Sequence, residues 1–182
     1  MKTADLTRVA LLLALLIISS QFAIPIGPVA ISLQTLIVLI IGLVLPTGQA
    51  VLTTTLYLLV GLIGLPIFTQ AMGGPYSVFL PSFGFILSFI PAVWVMSKIC
   101  SINSKSKNKK YILAILVGNL IIYLIGISYM SFILIFYLGS EMNLWGILSI
   151  GMLPFIPGDI VKSIVAMSIS KRINATLALR SD

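Results

Sequence analysis

"NSKSKNKK", Asn103–Lys110, is the single hydrophilic loop in a chain of 182 residues, and it carries four of the eleven basic side chains. Long, continuous apolar runs lie on both sides of it. The chain as a whole is 59% hydrophobic and 8% charged, with a mean hydropathy of +1.19. Soluble domains carry about 25% charged residues. So sparse a set of charges cannot cover a surface facing water, so the solvent of this chain is lipid. The apolar runs do not alternate with polar residues, which selects helices over a closed barrel, the two structures that pair every backbone group inside lipid. At roughly 20 residues per crossing, the expectation is one all-α integral membrane domain over residues 1–182, with six transmembrane helices.

Outward from the loop, the breakers set the helices. Helix 1 is expected at about Leu6 to Ala23, ended by "IPIGPV". Helix 2 is expected at about Val29 to Leu45, followed by the turn "PTG". Helix 3 runs from about Gln49 to Ile63. "GLPIFTQAMGGPYSVFLP", Gly64–Pro81, is uncharged and full of glycine and proline. It is too apolar for a solvated loop, and irregular backbone at membrane depth is tolerated where protein buries it or where it lines a cavity. This segment is therefore expected to be a re-entrant or lid loop between helices 3 and 4. Helix 4 is expected at about Ser82 to Ile99, and helix 5 at about Tyr111 to Tyr137. "LWGILSIGMLPFIPG" forms an interfacial segment leading into helix 6, about Gly158 to Ile173. Lys2 and Arg8 before an apolar run resemble a signal peptide, but Gln21 stands where cleavage after Ala23 needs a small residue, so a retained helix is expected.

Lys and Arg set orientation in membrane proteins. Lys2 and Arg8 precede helix 1. Lys98, Lys105, Lys107, Lys109 and Lys110 flank the loop between helices 4 and 5, and Lys171, Arg172 and Arg180 follow helix 6. With six helices these ten residues share one side, the cytoplasmic one, together with both termini. The net charge of +7 is thus used for topology, and no nucleic-acid partner is expected. The chain has no histidine and only Cys100 as a thiol, so no metal is expected. It has no GxxxxGK[ST] phosphate loop and no pair of buried carboxylates for acid–base catalysis, so no enzyme activity or cofactor is expected.

The eleventh basic residue is Lys162, in "PFIPGDIVKSIVA", Pro154–Ala166. Lys162 lies nine residues, about 13 Å, before Lys171, well inside the bilayer. Asp159 sits at i−3 on the same face. One reading is a neutralising pair turned into the bundle. The other is a ligand site, because ionisable residues inside membranes are expensive and mark function. Asn119 with Tyr123 one turn on, Gln34 with Thr35, and the turn Gly73, Gly74, Pro75, Tyr76 are further candidates, each with a structural alternative: a helix–helix bond, a helix end and a loop turn. Ala10 and Ala14 form a small-xxx-small face that permits close approach of another helix. Gly42, Gly61, Gly118 and Gly126 are expected at close-packing points.

Four stretches, in order, carry a resemblance: "LQTLIVLIIGLVLPTGQAVLTTTLYLLVGLIGLPIF", "MGGPYSVFLPSFGF", "GNLIIYLIG" and "PFIPGDIVKSIVA". They resemble BioY, the biotin-specific substrate-binding (S) subunits of energy-coupling factor (ECF) transporters, from about Pro25 to Ala166. "P-F-x-P-G-D-x-x-K" is the most specific piece. The resemblance implies a bacterial plasma-membrane protein that binds biotin from outside. It also implies a transmembrane coupling subunit and two ATPase subunits as partners, met through the Ala10 and Ala14 face. Asp159 then suits paired ureido N–H donors, Lys162 an acceptor or the carboxylate, and Asn119 the ureido group. Tyr76, Phe79 and Tyr123 are expected to pack on the thiophane ring, with Gly73, Gly74, Ser82 and Gln34 as further ligand-site residues. Where the family implies a small, Gly-rich run, this chain has "LPSFGF", Leu80–Phe85. The alternatives are an S subunit for another vitamin and a small proton-coupled carrier using Asp159 and Lys162.

Overall fold

The structure is a computed structural model that describes residues 3–26, 29–102 and 106–178. Seven helices carry the fold: α1 (Thr3–Gln21), α2 (Gln34–Val44), α3 (Thr47–Leu62), α4 (Phe83–Ser101), α5 (Lys107–Phe132), α6 (Leu144–Gly151) and α7 (Ile156–Ala178). A hairpin of β1 (Ala23–Ile26) and β2 (Val29–Ser32) joins α1 to α2. α1, α4 and the Asn108–Tyr137 stretch, in which a π turn extends α5, are long and apolar enough to cross a membrane. So is the pair α6 and α7, bent by 45° at its break. α2 and α3 are shorter, at 11 and 16 residues.

The expected helical membrane fold is present, with the lid between α3 and α4. One segment differs. Val29–Ser32 is a strand, not the start of helix 2, and α1 stops at Gln21. Ala23 pairs with Ser32 and Ile24 with Ile31 in antiparallel register. Pro25 cannot continue a helix, and pairing strand to strand occupies backbone groups that a loop would leave open in an apolar environment. Gly27 and Pro28, Asn103–Lys105, and the topogenic Lys2, Lys105 and Arg180 lie outside the described residues.

α2 is the centre of the bundle. Its residues Val38 to Leu43 are all buried, as expected of a helix that is apolar all round. It packs on α4 and α7, while α1 packs on α3 and α3 on α4. α4 and α5 run together over most of their length. Small residues allow this. A Cβ on Gly118 would lie 2.3 Å from the Met96 sulfur, and one on Gly42 2.9 Å from Met96 Cβ. Gly61 meets the Phe68 ring and Gly126 the Phe85 ring in the same way. The four expected close-packing glycines therefore all abut another element.

The lid, Gly64–Pro81, holds two short 3-10 turns, Thr69–Ala71 and Pro75–Phe79. Its backbone is tied to the bundle. Ser20 Oγ and Tyr57 OH both donate to the Ile67 carbonyl, at 2.6 and 2.9 Å. Gly74 N–H donates to the Gly61 carbonyl at 2.7 Å, and Tyr129 OH donates to the Val78 carbonyl. Phe68 is buried beneath the lid, edge-on to Tyr57 and Phe83.

Gly84 provides a test of the α4–α5 contact, because a Cβ there would lie 2.3 Å from Tyr129 Cβ, an atom fixed to the backbone. Gly84→Ala should destabilise the protein by about 1–3 kcal/mol, the usual effect of overpacking. Gly48→Ala, with nothing within 4 Å of its new Cβ, should be neutral or mildly stabilising. Thermal unfolding of both variants in detergent checks the pair, and equal stability would discard the packing account.

Candidate functional site

A cavity of about 220 Å³ lies between the lid, the hairpin, α2, α4, α5 and the start of α7. It is smaller than the roughly 300–1,000 Å³ of drug-sized pockets, so it suits one small molecule. Its charged residues are Asp159 and Lys162.

The local sequence explains how the pair comes to be there. Pro157 and Gly158 sit in the first turn of α7, where a missing N–H does no harm. Asp159 follows in the same turn, with its negative charge near the positive end of the helix dipole. Lys162 Nζ lies 2.8 Å from Asp159 Oδ1, and both residues are buried. Two neighbours orient them. Tyr123 OH donates to Asp159 Oδ2, and Lys162 Nζ donates to Thr35 Oγ1 at 3.3 Å. A carboxylate has about four lone-pair positions and an ammonium three protons. The pair therefore keeps acceptor and donor capacity for a ligand while its net charge is zero.

Gln34, at the start of α2, also lines the cavity and is buried. Its Oε1 accepts from Ser32 Oγ (3.0 Å) and Thr69 Oγ1 (2.7 Å), and its Nε2 donates to Tyr57 OH (2.5 Å). One amide proton remains for the cavity. Gln34 thus braces hairpin, lid and α3 as well as lining the site.

Of the sequence-based candidates, Asp159, Lys162, Tyr123, Gln34 and Ser82 line the cavity. Asn119 does not. It faces the α5–α7 side, where its Nδ2 donates to Ser163 Oγ at 3.1 Å; its Oδ1 is buried without a partner among the described residues. Gly73, Gly74, Tyr76 and Phe79 are also outside the lining. Gly73 is needed because a Cβ would strike the Leu65 carbonyl oxygen at 2.1 Å, and Gly74 has a φ of +87°, the left-handed region that glycine adopts freely. Tyr76 is 68% exposed, and Phe79 stacks on Tyr137 with ring centroids 5.1 Å apart. These aromatic side chains cover the lid from outside instead of forming the cavity wall.

That wall is apolar and aromatic: Phe68, Phe83, Phe85, Phe89 and Phe155, with Ile86 and Ile122. Sequence reasoning missed these residues as a set. A phenylalanine inside an apolar helix carries no signal of which face it takes. Only the spacing of Phe85 and Phe89, one helical turn apart, was available.

Ala10 and Ala14 are both exposed on α1, while Val9, Leu12 and Leu16 of the same helix are buried. The alanine face therefore packs against nothing within this chain.

Comparison with known proteins identifies the family. The chain is 32% identical over 173 residues to "Probable biotin transporter BioY" of Pyrococcus horikoshii, covering 95% of this chain and 98% of that protein. It is 34% identical to "Biotin transporter BioY2" of Lactococcus lactis subsp. cremoris, over 90% of this chain and 86% of the relative. It superposes on the solved S-component for biotin from an ECF-type ABC transporter with a TM-score of 0.82, at 28% identity, covering 96% of this chain and 95% of that one. The sequence model of the BioY family matches residues 1–179, and the chain belongs to the BioY family.

Proposed function

We propose that this chain is the biotin-binding membrane subunit of an ECF-type uptake transporter. It takes biotin from outside the cell into the cavity and hands it on through a partner coupling module. The observation that carries this reading is the buried Asp159–Lys162 pair on the wall of a small, aromatic-lined cavity. Biotin brings two ureido N–H donors, a ureido carbonyl, an apolar bicycle and a carboxylate. Asp159 offers acceptors only, and Lys162 donors only. The phenylalanine wall takes the bicycle, and Gln34 and Ser82 supply further polar contact.

Asp159→Ala should weaken biotin binding at least about tenfold, since a hydrogen bond to a charged group contributes roughly 1.5–3 kcal/mol. Titration calorimetry on folded protein measures it, and an unchanged affinity would remove Asp159 from the site.

The same pair has a stability consequence. Removing one partner of a buried ion pair costs about 3–5 kcal/mol, whereas replacing both with apolar groups is often neutral. Lys162→Met alone should therefore be markedly less stable, without biotin, than Asp159→Leu/Lys162→Met. Both should bind biotin poorly. Thermal unfolding decides it, and a double variant no more stable than the single one contradicts the pairing.

The basic side of the chain faces the cytoplasm in this reading, as the Lys and Arg distribution requires, and both termini lie there. The partners are a transmembrane coupling subunit and two ATPase subunits. The exposed Ala10 and Ala14 face supports docking of a coupling-subunit helix. Ala10→Trp should leave equilibrium biotin binding within about twofold, because the new ring points away from the core, and should abolish ATP-driven uptake and co-purification with the coupling subunit. Lost binding with lost stability would instead assign these alanines to internal packing, and normal uptake would discard the docking face.

A further inference from the structure

A second concavity, of about 320 Å³, lies on the flank of the bundle between α5 and α7. It exists because α7 packs on α2 and barely touches α5. Its rims are apolar and exposed: Ile112 and Leu116 on one helix, Ile160 and Ile164 on the other. Asn119 and Ser163 bond to each other across its floor. Its far end is formed by Tyr123 and Asp159, the only described residues that line both this groove and the cavity.

The depth of the groove is legible from the helices. Its lining runs from Ile112 to Tyr123 and from Met167 back to Ile156, about 16 Å along each helix. Half of a hydrocarbon core of about 30 Å is about 15 Å. The groove is therefore about as long as one leaflet is thick. At the basic side the groove ends where Asn174 Nδ2 of α7 donates to Tyr111 OH of α5 at 2.8 Å. Lys109 precedes Ile112 by three residues and Lys171 follows Met167 by four, which puts both on the helix faces that line the groove. Neither lysine side chain has an ion-pair or hydrogen-bond partner among the described residues. An apolar slot in a lipid-facing flank is filled by hydrocarbon, and basic pockets between membrane helices on the cytoplasmic side hold anionic headgroups.

We infer that the α5–α7 groove is a binding site for one anionic phospholipid, with an acyl chain against Leu116 and Ile164 and its phosphate between Lys109 and Lys171. The lipid is a structural ligand that closes the flank of the cavity behind Tyr123 and Asp159. Its assignment to the cytoplasmic leaflet rests on the orientation proposed above; the site itself does not.

The test uses the full chain, delipidated in detergent and titrated with phosphatidylglycerol or phosphatidylcholine of identical chains, with bound lipid counted by native mass spectrometry. Micelles have no sidedness and biotin is absent, so an error in orientation or in ligand leaves the result unaffected. Phosphatidylglycerol should bind about tenfold more tightly than phosphatidylcholine, and Lys109→Gln/Lys171→Gln should erase that preference. Leu116→Trp, which fills the groove without changing charge, should remove binding of both lipids. Leu116 is 63% exposed, so this variant should fold, and an unchanged thermal unfolding midpoint confirms that it has. Lys98→Gln removes a basic residue whose ammonium lies over the Trp94 ring, and it should change nothing. Equal affinity for both lipids overturns the proposal, as does an equal effect of Lys98→Gln or normal lipid binding by Leu116→Trp. A groove that holds neither lipid but cross-links to a partner subunit in the assembled transporter overturns it in favour of a partner helix.

Discussion

The carbonyl oxygen of Ile67 accepts hydrogen bonds from Ser20 at the end of α1 and from Tyr57 in α3. It belongs to a segment that is apolar, irregular and set in a membrane protein. Every polar backbone group there needs a partner, because lipid supplies none. The bundle supplies them from side chains on three helices. Once Ile67 is held, Phe68 fills the space beside Gly61, and Thr69 reaches Gln34. The lid is thereby part of the folded core and not a loop laid over it, and the cavity beneath it has a fixed roof.

The same constraint governs the charged pair. Asp159 and Lys162 are buried, and an isolated ion there would be prohibitively unstable. Each is retained by the other and by a neutral neighbour, Tyr123 or Thr35. A buried pair of this kind adds little to stability compared with an apolar pair. Folding stability alone therefore does not account for its presence, whereas the proposed recognition role does. A neutral pair with spare donors and acceptors matches a ligand that has both, while the phenylalanine wall matches the apolar part.

The cavity and the exposed alanine face occupy separate parts of the same molecule. The cavity lies under the lid, towards the end of the bundle away from the lysine-rich loop, and the alanine face lies around the middle of α1. α1 also ends at Ser20 and Gln21, which touch the lid backbone at Ile67 and Phe68. One helix thus joins the roof of the cavity to the exposed alanine face.

The amino-acid sequence by itself determined the class of fold and its order of helices, because long apolar runs and their proline and glycine breaks report directly on what lipid tolerates. It determined the buried Asp159–Lys162 pair, because two charges in an apolar helix stand out and their spacing puts them on one face. It also determined the close-packing glycines. Tertiary structure alone decided which candidates share a cavity. Asn119 shares a face of α5 with Tyr123 one turn on, yet of the two only Tyr123 reaches the cavity, and Tyr76 and Phe79 face out of the lid rather than into it. The hairpin at residues 23–32 was equally hidden, since its pairing is between two short segments whose composition fits a frayed helix as well as a strand. Which way a lid side chain turns, and how two helices splay to leave a groove, depend on contacts between residues distant in sequence. Local pattern carries no information about those contacts, and the positions of the aromatic wall were fixed by them.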